Sequence, residues 1–411
     1  MMEEWKEYKL GDLCSISSSK RIFANEYQIS GIPFYRGKEI IEKQKGEPIT
    51  NELYISEDRF NEIRDKYGTP QKGEMLLTSV GTLGIPYIVK DEKFYFKDGN
   101  LTWFYNFRGI NNVYLYYWFL SPAAQYLINA KAIGSTQKAL TIETLKKFDL
   151  LLPPIDIQKK VVAILKSLDD KIEVNRKINA NLEQQAQALF KSWFVDFEPF
   201  KDGEFVESEL GMIPKGWRVG ILDELCSFIS RGLTPKYDET SEELILGQTC
   251  VRNNIVTLNN ARKHRPKTKN DKWVQQWDVL LNSTGIGSLG RVGIVYFNMD
   301  NVAIDSHITV VRTSCSLYRH YVGRNLLSRQ LEIENMAVGS TGQTELPRDR
   351  VKAMPIIIPS HDALDKFNAI IESMAISMYS NIMESRRLAT LRDTLLPKLM
   401  SGELKVNEIK A

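Results

Sequence analysis

Residues 133–140 read IGSTQKAL, and residues 338–346 read VGSTGQTEL. A Gly-Ser-Thr match arises easily by chance, so the flanks decide. Leu145, Phe148, Leu151, Leu152 and Pro153 fall on Val351, Met354, Ile357, Ile358 and Pro359 at one constant offset. Earlier in each half, WKEYKLGDLCS (5–15) answers WRVGILDELCS (217–227), and GEMLLTSVGTLG (73–84) answers WDVLLNSTGIGSLG (277–290). A chain built this way folds as two copies of one scaffold. Between the landmarks the halves diverge: FANEYQISGIPFYRG does not align with TPKYDETSEELILGQ. Shared frame and variable insert together fit a scaffold that displays two different binding surfaces.

After each proline-terminated run the apolar period turns helical. Val161, Leu168, Asn175, Leu182 and Leu189 recur every seventh residue, with Ile164, Ile172 and Ile178 on the same side. Phe367, Met374, Asn381, Leu388 and Leu395 repeat the pattern, flanked by Ile370, Ile371 and Met378, and Pro397 closes the segment. Each spacing predicts a helix of about 50 Å, at 1.5 Å per residue. A narrow apolar stripe cannot be buried by one helix alone, so the two are expected to pair as a coiled coil, with an ordinary helical bundle beside each domain as the alternative. Asn175 and Asn381 occupy equivalent seam positions, where a polar residue fixes register. The second copy is less regular, with Ser377 and Glu384 interrupting its seam.

The segment 196–215, DFEPFKDGEFVESELGMIPK, is acidic and broken by two glycines and two prolines, as expected of an exposed connection. The expected plan is a first domain over 1–153, a helix over 154–195, a linker over 196–215, a second domain over 216–359, and a helix with its tail over 360–400. The fold class is α+β: two mixed domains separated by two long antiparallel helices, with an internal pseudo-two-fold repeat. The longest apolar run, VYLYYWFL at 113–120, is too short to span a bilayer, and the start, MMEEWKEYKL, is unlike a signal peptide. Four cysteines lack CxxC spacing, which argues against zinc or a redox pair and for buried thiols in a reduced, cytoplasmic chain.

No catalytic constellation emerges. The four histidines lack metal-ligand spacing, and neither a GxSxG elbow nor a Walker loop occurs. GIGSLG (285–290) lacks the strand–loop–helix context of a dinucleotide site and reads as a turn. The Asn/Asp-Pro-Pro-aromatic signature of amino-methyltransferases is absent as well. No cofactor and no metal are expected of this chain.

Binding chemistry remains. Net charge is only +3, so a nucleic-acid partner has to be argued from local patches. ARKHRPKTKNDK (261–272) carries six Lys or Arg against one Asp, including Arg262, Lys263, Arg265, Lys267 and Lys269. Such residues neutralise phosphates, although a solvated charge run is the usual meaning. Beside it, Arg231, Arg252, Asn253 and Asn254 carry side chains suited to base edges. The first half supplies thinner clusters at Lys20, Arg21, Arg36 and Lys38. The repeated segments add Ser79, Thr82, Ser135, Thr136, Gln137 and Lys138 in one half. In the other they add Asn282, Ser283, Thr284, Ser340, Thr341 and Gln343. Short hydroxyl and amide side chains on such turns can meet DNA, or can simply cap the next element.

Taken together, the LGDL domain start, GSTQKALTIETLKKFDLLLPP running into IDIQKKVVAILKSLDDKI, and ELGMIPKGW opening the second half resemble the specificity subunits of type I restriction–modification systems. The resemblance covers essentially the whole chain. It implies two target recognition domains, each reading one half of a bipartite double-stranded DNA sequence, with the long helices as a ruler. About 50 Å of helix corresponds to about 15 base pairs. It also implies two modification subunits, which bind S-adenosylmethionine and methylate adenine at N6, and two motor–nuclease subunits. The residues alone leave two competitors: a scaffold that binds proteins or glycans across a coiled-coil spacer, and an enzyme with an unrecognised methyltransferase site.

Overall fold

The computed structural model describes residues 5–46, 49, 51–134, 138–265, 270–298, 300–339 and 344–406. They form two compact units: residues 1–173 with 386–411, and residues 174–385. Each unit therefore contains part of both long helices, which run Ile155–Phe194 and His361–Ser401.

Each helix starts where its sequence supplies acceptors for unpaired N–H groups. The Pro154 carbonyl accepts from Ile157 and Gln158 at 2.9 and 3.1 Å. The Ser360 hydroxyl accepts from the Ala363 N–H at 3.3 Å, as an N-cap. Pro397 does not close the second helix as its sequence position predicts; it lies inside it, and the helix runs on to Ser401. Proline in a helix costs roughly 3 kcal/mol. Burial of Leu396, Leu399 and Met400 in the core of the first unit offsets that cost. The chain leaves through Gly402, at φ 74°, where a Cβ would meet the Trp5 ring at 2.8 Å.

Within each unit the helix segments pair antiparallel. In the second, Phe367 packs on Phe190, Trp193 and Phe194. Asn175 and Asn381 do not bond to one another. Asn175 donates to Glu384 at 2.7 Å and Ser385 at 3.3 Å, while Asn381 donates to Asn179 at 2.8 Å. Ser377 turns outward and donates to the Ser373 carbonyl. The buried stripe also drifts from a strict heptad. Glu183, Ala186 and Phe190 are buried, whereas Leu182 and Leu189 lie partly buried beside them, because a straight helix repeats every 3.6 residues rather than 3.5. Ile178 is exposed for the same reason. Met374 is partly buried in the same core, and Leu388 is half-buried. In the first unit Val161 and Leu165 are buried, Leu168 is half-buried, and Leu395 packs partly buried against the core.

The two units repeat one sheet plan. In the first, a sheet has strand order Ser15–Ser17, Leu101–Tyr105, Met75–Thr78, Pro86–Ile88. In the second, Cys226–Arg231, Ile308–Thr313, Val279–Asn282 and Val292–Ile294 follow the same order, extended by the hairpin strands Asn254–Val256 and Val251–Arg252. A smaller sheet accompanies each. Ile32–Tyr35 pairs parallel with Tyr95–Phe96 and antiparallel with Leu53–Ile55; Leu244–Leu246 pairs parallel with Val302–Ile304 and antiparallel with Arg262–Lys263. A ribbon at the base joins Lys6–Lys9 to Asp149–Leu152, and Arg218–Ile221 to Pro355–Ile358. Cys14 and Cys226 sit beside these ribbons, and burial pushes both thiols up to about 12.

The segment 196–215 is largely exposed and carries local structure of its own. Phe205–Ser208 and Gly211–Pro214 form a hairpin, and Phe197 and Phe200 pack on Trp217 at ring distances of 5.8 and 4.9 Å. Four aromatic side chains in and beside an otherwise polar stretch outweigh its glycines and prolines. No helix among the described residues is long and apolar enough to cross a membrane.

Candidate nucleic-acid interface

The repeated segments meet at one place in each unit. Where Met75–Thr78 ends, the Ser79 N–H donates to the Asn100 carbonyl at 2.8 Å, and the Leu140 N–H donates to the Ser79 carbonyl at 2.9 Å. Where Val279–Asn282 ends, Ser283 donates to His307 at 2.9 Å, and Leu346 donates to Ser283 at 2.8 Å. The Ser79 hydroxyl lies 2.6 Å from Thr102 Oγ1, and the Ser283 hydroxyl 2.6 Å from Thr309 Oγ1. Ile133 then bridges to Ala139, and Val338 to Glu345, so each unit holds the base of its repeated loop against the end of this strand. The loop residues Ser135, Thr136, Gln137, Ser340, Thr341 and Gln343 lie outside the described residues, as do Lys267 and Lys269.

Ser79, Asn282 and Ser283 are buried and serve this framework, which corrects their expected role as DNA contacts. Asn282 donates to the Gln248 carbonyl at 3.1 Å. Asn282 and Ser283 are neighbours on one strand end and point to opposite faces, so their shared burial means that both faces are covered there. Thr82 and Lys138 are exposed on the same edge.

In the first unit, Arg21, Phe23, Tyr27, Val80, Lys97 and Asn100 line a cleft of about 440 Å³. Arg21 projects from its rim and is paired with Asp98 at 2.8 Å. The Lys20 ammonium stands 4.3 Å from the centre of the Tyr67 ring. Arg36 is engaged by the buried carboxylate of Glu39 at 2.6 Å, and that pair closes the first turn of the helix Gly37–Gln44. Burial works to raise the Glu39 pKa, but hydrogen bonds from Arg36 hold it below the ordinary carboxylate value. Lys38 faces Glu42 at 3.8 Å. Arg36 thus has a structural partner, with 36% of its side chain still exposed.

In the second unit, Gln248 Nε2 donates to Thr284 Oγ1 at 2.8 Å, and Thr284 Oγ1 lies 2.9 Å from His307 Nδ1. Arg231 is held by Glu345 and by the carbonyls of Ser306 and Leu346. Arg252 comes close enough to Arg291 that its charge, after burial, lowers the proton affinity of Arg291. Asn253 and Asn254 have φ of 52° and 66° and form the two-residue turn of the hairpin, a role that favours Asn. Asn254 points its amide to Glu183 at 3.4 Å, away from an outer surface, whereas Asn253 is exposed. On the smaller sheet, the Arg262 guanidinium stacks 3.3 Å from the Tyr237 ring centre, Lys263 donates to the Glu239 carbonyl, and Arg265 lies 3.8 Å from Asp238.

Sequence reasoning missed Lys97, Asn100, Gln248, Arg291 and His307, which are isolated polar residues in the divergent or loop segments. Their one signal is position: Asn100 and His307 each immediately precede the strand that carries the buried threonine. The surface offers cations for phosphates and amide, imidazole and hydroxyl groups for base edges.

Comparison with known proteins agrees. The type I restriction modification DNA specificity domain matches residues 2–184. The MjaIX type I restriction enzyme specificity subunit of Methanocaldococcus jannaschii is 29% identical, over 99% of this chain and 95% of that protein. The HindI specificity subunit of Haemophilus influenzae is 24% identical, over 98% of this chain and 100% of its own length. A crystal structure of a type I S subunit from M. genitalium shares the fold at TM-score 0.56 and 16% identity, covering 97% of this chain and 96% of that one. The duplicated frame, the paired helices and these likenesses converge: residues 2–184 match a type I restriction modification DNA specificity domain, and the chain is similar along nearly its whole length to the specificity subunits of type I restriction enzymes.

Proposed function

We propose that each unit reads one half of a bipartite double-stranded DNA target, and that the long helices set the interval between the halves. The same helices dock two modification subunits. Those subunits carry S-adenosylmethionine and methylate adenine at N6; two motor–nuclease subunits join for cleavage. The chain itself holds no cofactor, and it works in the cytoplasm. One observation carries this reading. The Ser79–Thr102 and Ser283–Thr309 frameworks repeat bond for bond beneath surfaces that differ in nearly every exposed side chain. A duplicated frame presents two identical partners in equivalent ways, while the divergent surfaces read different sequences.

The test is to map methylated adenines across the host genome by long-read sequencing, with the gene intact and deleted. One bipartite motif that loses methylation on deletion is the expected result. An unchanged methylation map would sink the reading and favour a scaffold that binds proteins or glycans.

A further inference from the structure

We infer that Asn100 and His307 are matched specificity-determining residues, one for each half of the target. This rests on the DNA-reading function proposed above. The two residues are equivalent by hydrogen bonding and by position, since DGNLT (98–102) answers DSHIT (305–309) at one constant offset. Each immediately precedes its strand, Leu101–Tyr105 or Ile308–Thr313, and each offers its carbonyl to the N–H of the framework serine. The backbone is thus held in the same way in both units, and the side chain is what differs.

The two side chains have different chemistry. Asn100 lines the first unit's cleft beside Arg21 and Lys97, and its amide bonds to no described residue. A free amide offers one donor and one acceptor in the arrangement that matches adenine N7 and N6. His307 is exposed, and its ring is oriented from behind. Gln248 donates to Thr284 Oγ1, which lies 2.9 Å from His307 Nδ1, and the relay we infer has the threonine hydroxyl donate its own proton to Nδ1. That assignment of protons leaves His307 Nε2 carrying the ring hydrogen. A single outward donor suits an edge made of acceptors, which is the guanine O6/N7 edge. Val80 takes the place of Thr284 in the first unit and supplies no such relay, consistent with a residue there that needs none. Asn100 therefore reads an adenine in one half-site, and His307 reads a guanine in the other.

The experiment uses the full-length chain, co-expressed with its modification subunits in a host without adenine methylation, with the motif read by long-read sequencing. Asn100→Ser is expected to relax one base position of one half-site, cutting discrimination there roughly 10- to 100-fold, and to leave the other half-site unchanged. His307→Asn is expected to change one position of the opposite half-site from guanine towards adenine. The proposal is overturned if either variant keeps the wild-type motif, or if both half-sites blur together. Loss of all methylation by a variant that melts at the wild-type temperature also overturns it, because a specificity contact alters which sequence is read. A variant that melts early is replaced by Asn100→Ala or His307→Gln and judged in the same way. Wild-type chain that directs no bipartite motif removes the underlying function as well, which separates that failure from the others.

Discussion

Asn175, with 1% of its surface exposed, donates from the first long helix to the carboxylate of Glu384 on the second at 2.7 Å. Glu384 breaks the apolar spacing of its own helix, and the partner asparagine is what makes that break tolerable. Replacing Asn175 alone removes a hydrogen bond to a carboxylate across the two helices, at a cost of about 1–3 kcal/mol. We expect Asn175→Leu to lower the denaturation midpoint, and Asn175→Leu with Glu384→Leu to recover much of the loss. A double-mutant cycle by chemical denaturation measures the coupling; additive losses would show that the pair does not act across the helices.

Ser79 and Ser283 predict equal losses in different units. Each hydroxyl bonds a buried threonine and a strand carbonyl. Ser79→Ala and Ser283→Ala should each destabilise by about 1–2 kcal/mol, since each strands a threonine hydroxyl in the core. Local hydrogen exchange should rise around Leu140 in the first variant and around Leu346 in the second. Exchange that rises in the wrong unit would contradict the duplicated framework.

His320 gives the protein an acid-sensitive component. Its ring packs against Trp277, and its Nε2 lies 2.7 Å from Glu372. Burial, only partly opposed by Glu372, lowers its pKa from the ordinary 6.5 to about 4. Between these values the unfolded chain binds a proton that the folded chain does not. Its contribution is therefore full above about 6.5 and is lost as pH falls towards 4, reaching roughly 3 kcal/mol at most. Urea midpoints measured from pH 7 to pH 4.5 should fall less steeply for His320→Gln than for the wild type. Parallel slopes would show that the histidine titrates freely.

Arg262 and Arg265 are exposed and belong to the basic stretch 261–272. Arg262→Gln with Arg265→Gln should weaken DNA binding by the assembled complex for all sequences alike. The slope of log affinity against log salt should drop by up to about 2, with the melting temperature nearly unchanged. A changed methylation motif with an unchanged salt slope would move these residues from phosphates to base edges.

The repeat and the helices are legible in the sequence because their signals are local: a proline shortly precedes each helix, and apolar residues recur at fixed spacing. The smaller sheets are not. Ile32–Tyr35 and Leu244–Leu246 are equivalent strands, but each finds its parallel partner about 60 residues away, and no short-range pattern marks that pairing. Candidate contacts fared according to what a sequence leaves out. Nothing in the letters separates Arg36, engaged by buried Glu39, from Arg21 at the rim of a cleft. Ser79 and Thr82 stand three residues apart on one motif, yet the first is buried and the second exposed. Heptad counting placed Leu182 and Leu189 on the buried face, and the extra tenth of a residue per turn moved Glu183 and Phe190 there instead.

The division of the helices between the units fixes an order of assembly on the ribosome. The second unit is one unbroken stretch, 174–385, while the first needs residues 386–406 to cover Val161 and Leu165 with Leu396 and Leu399. The part of the chain made first is thus the last to be completed. Until residues 386–406 are made, the N-terminal unit carries an uncovered apolar helix face, and termination before them leaves that face open to chaperones, proteases or another nascent copy.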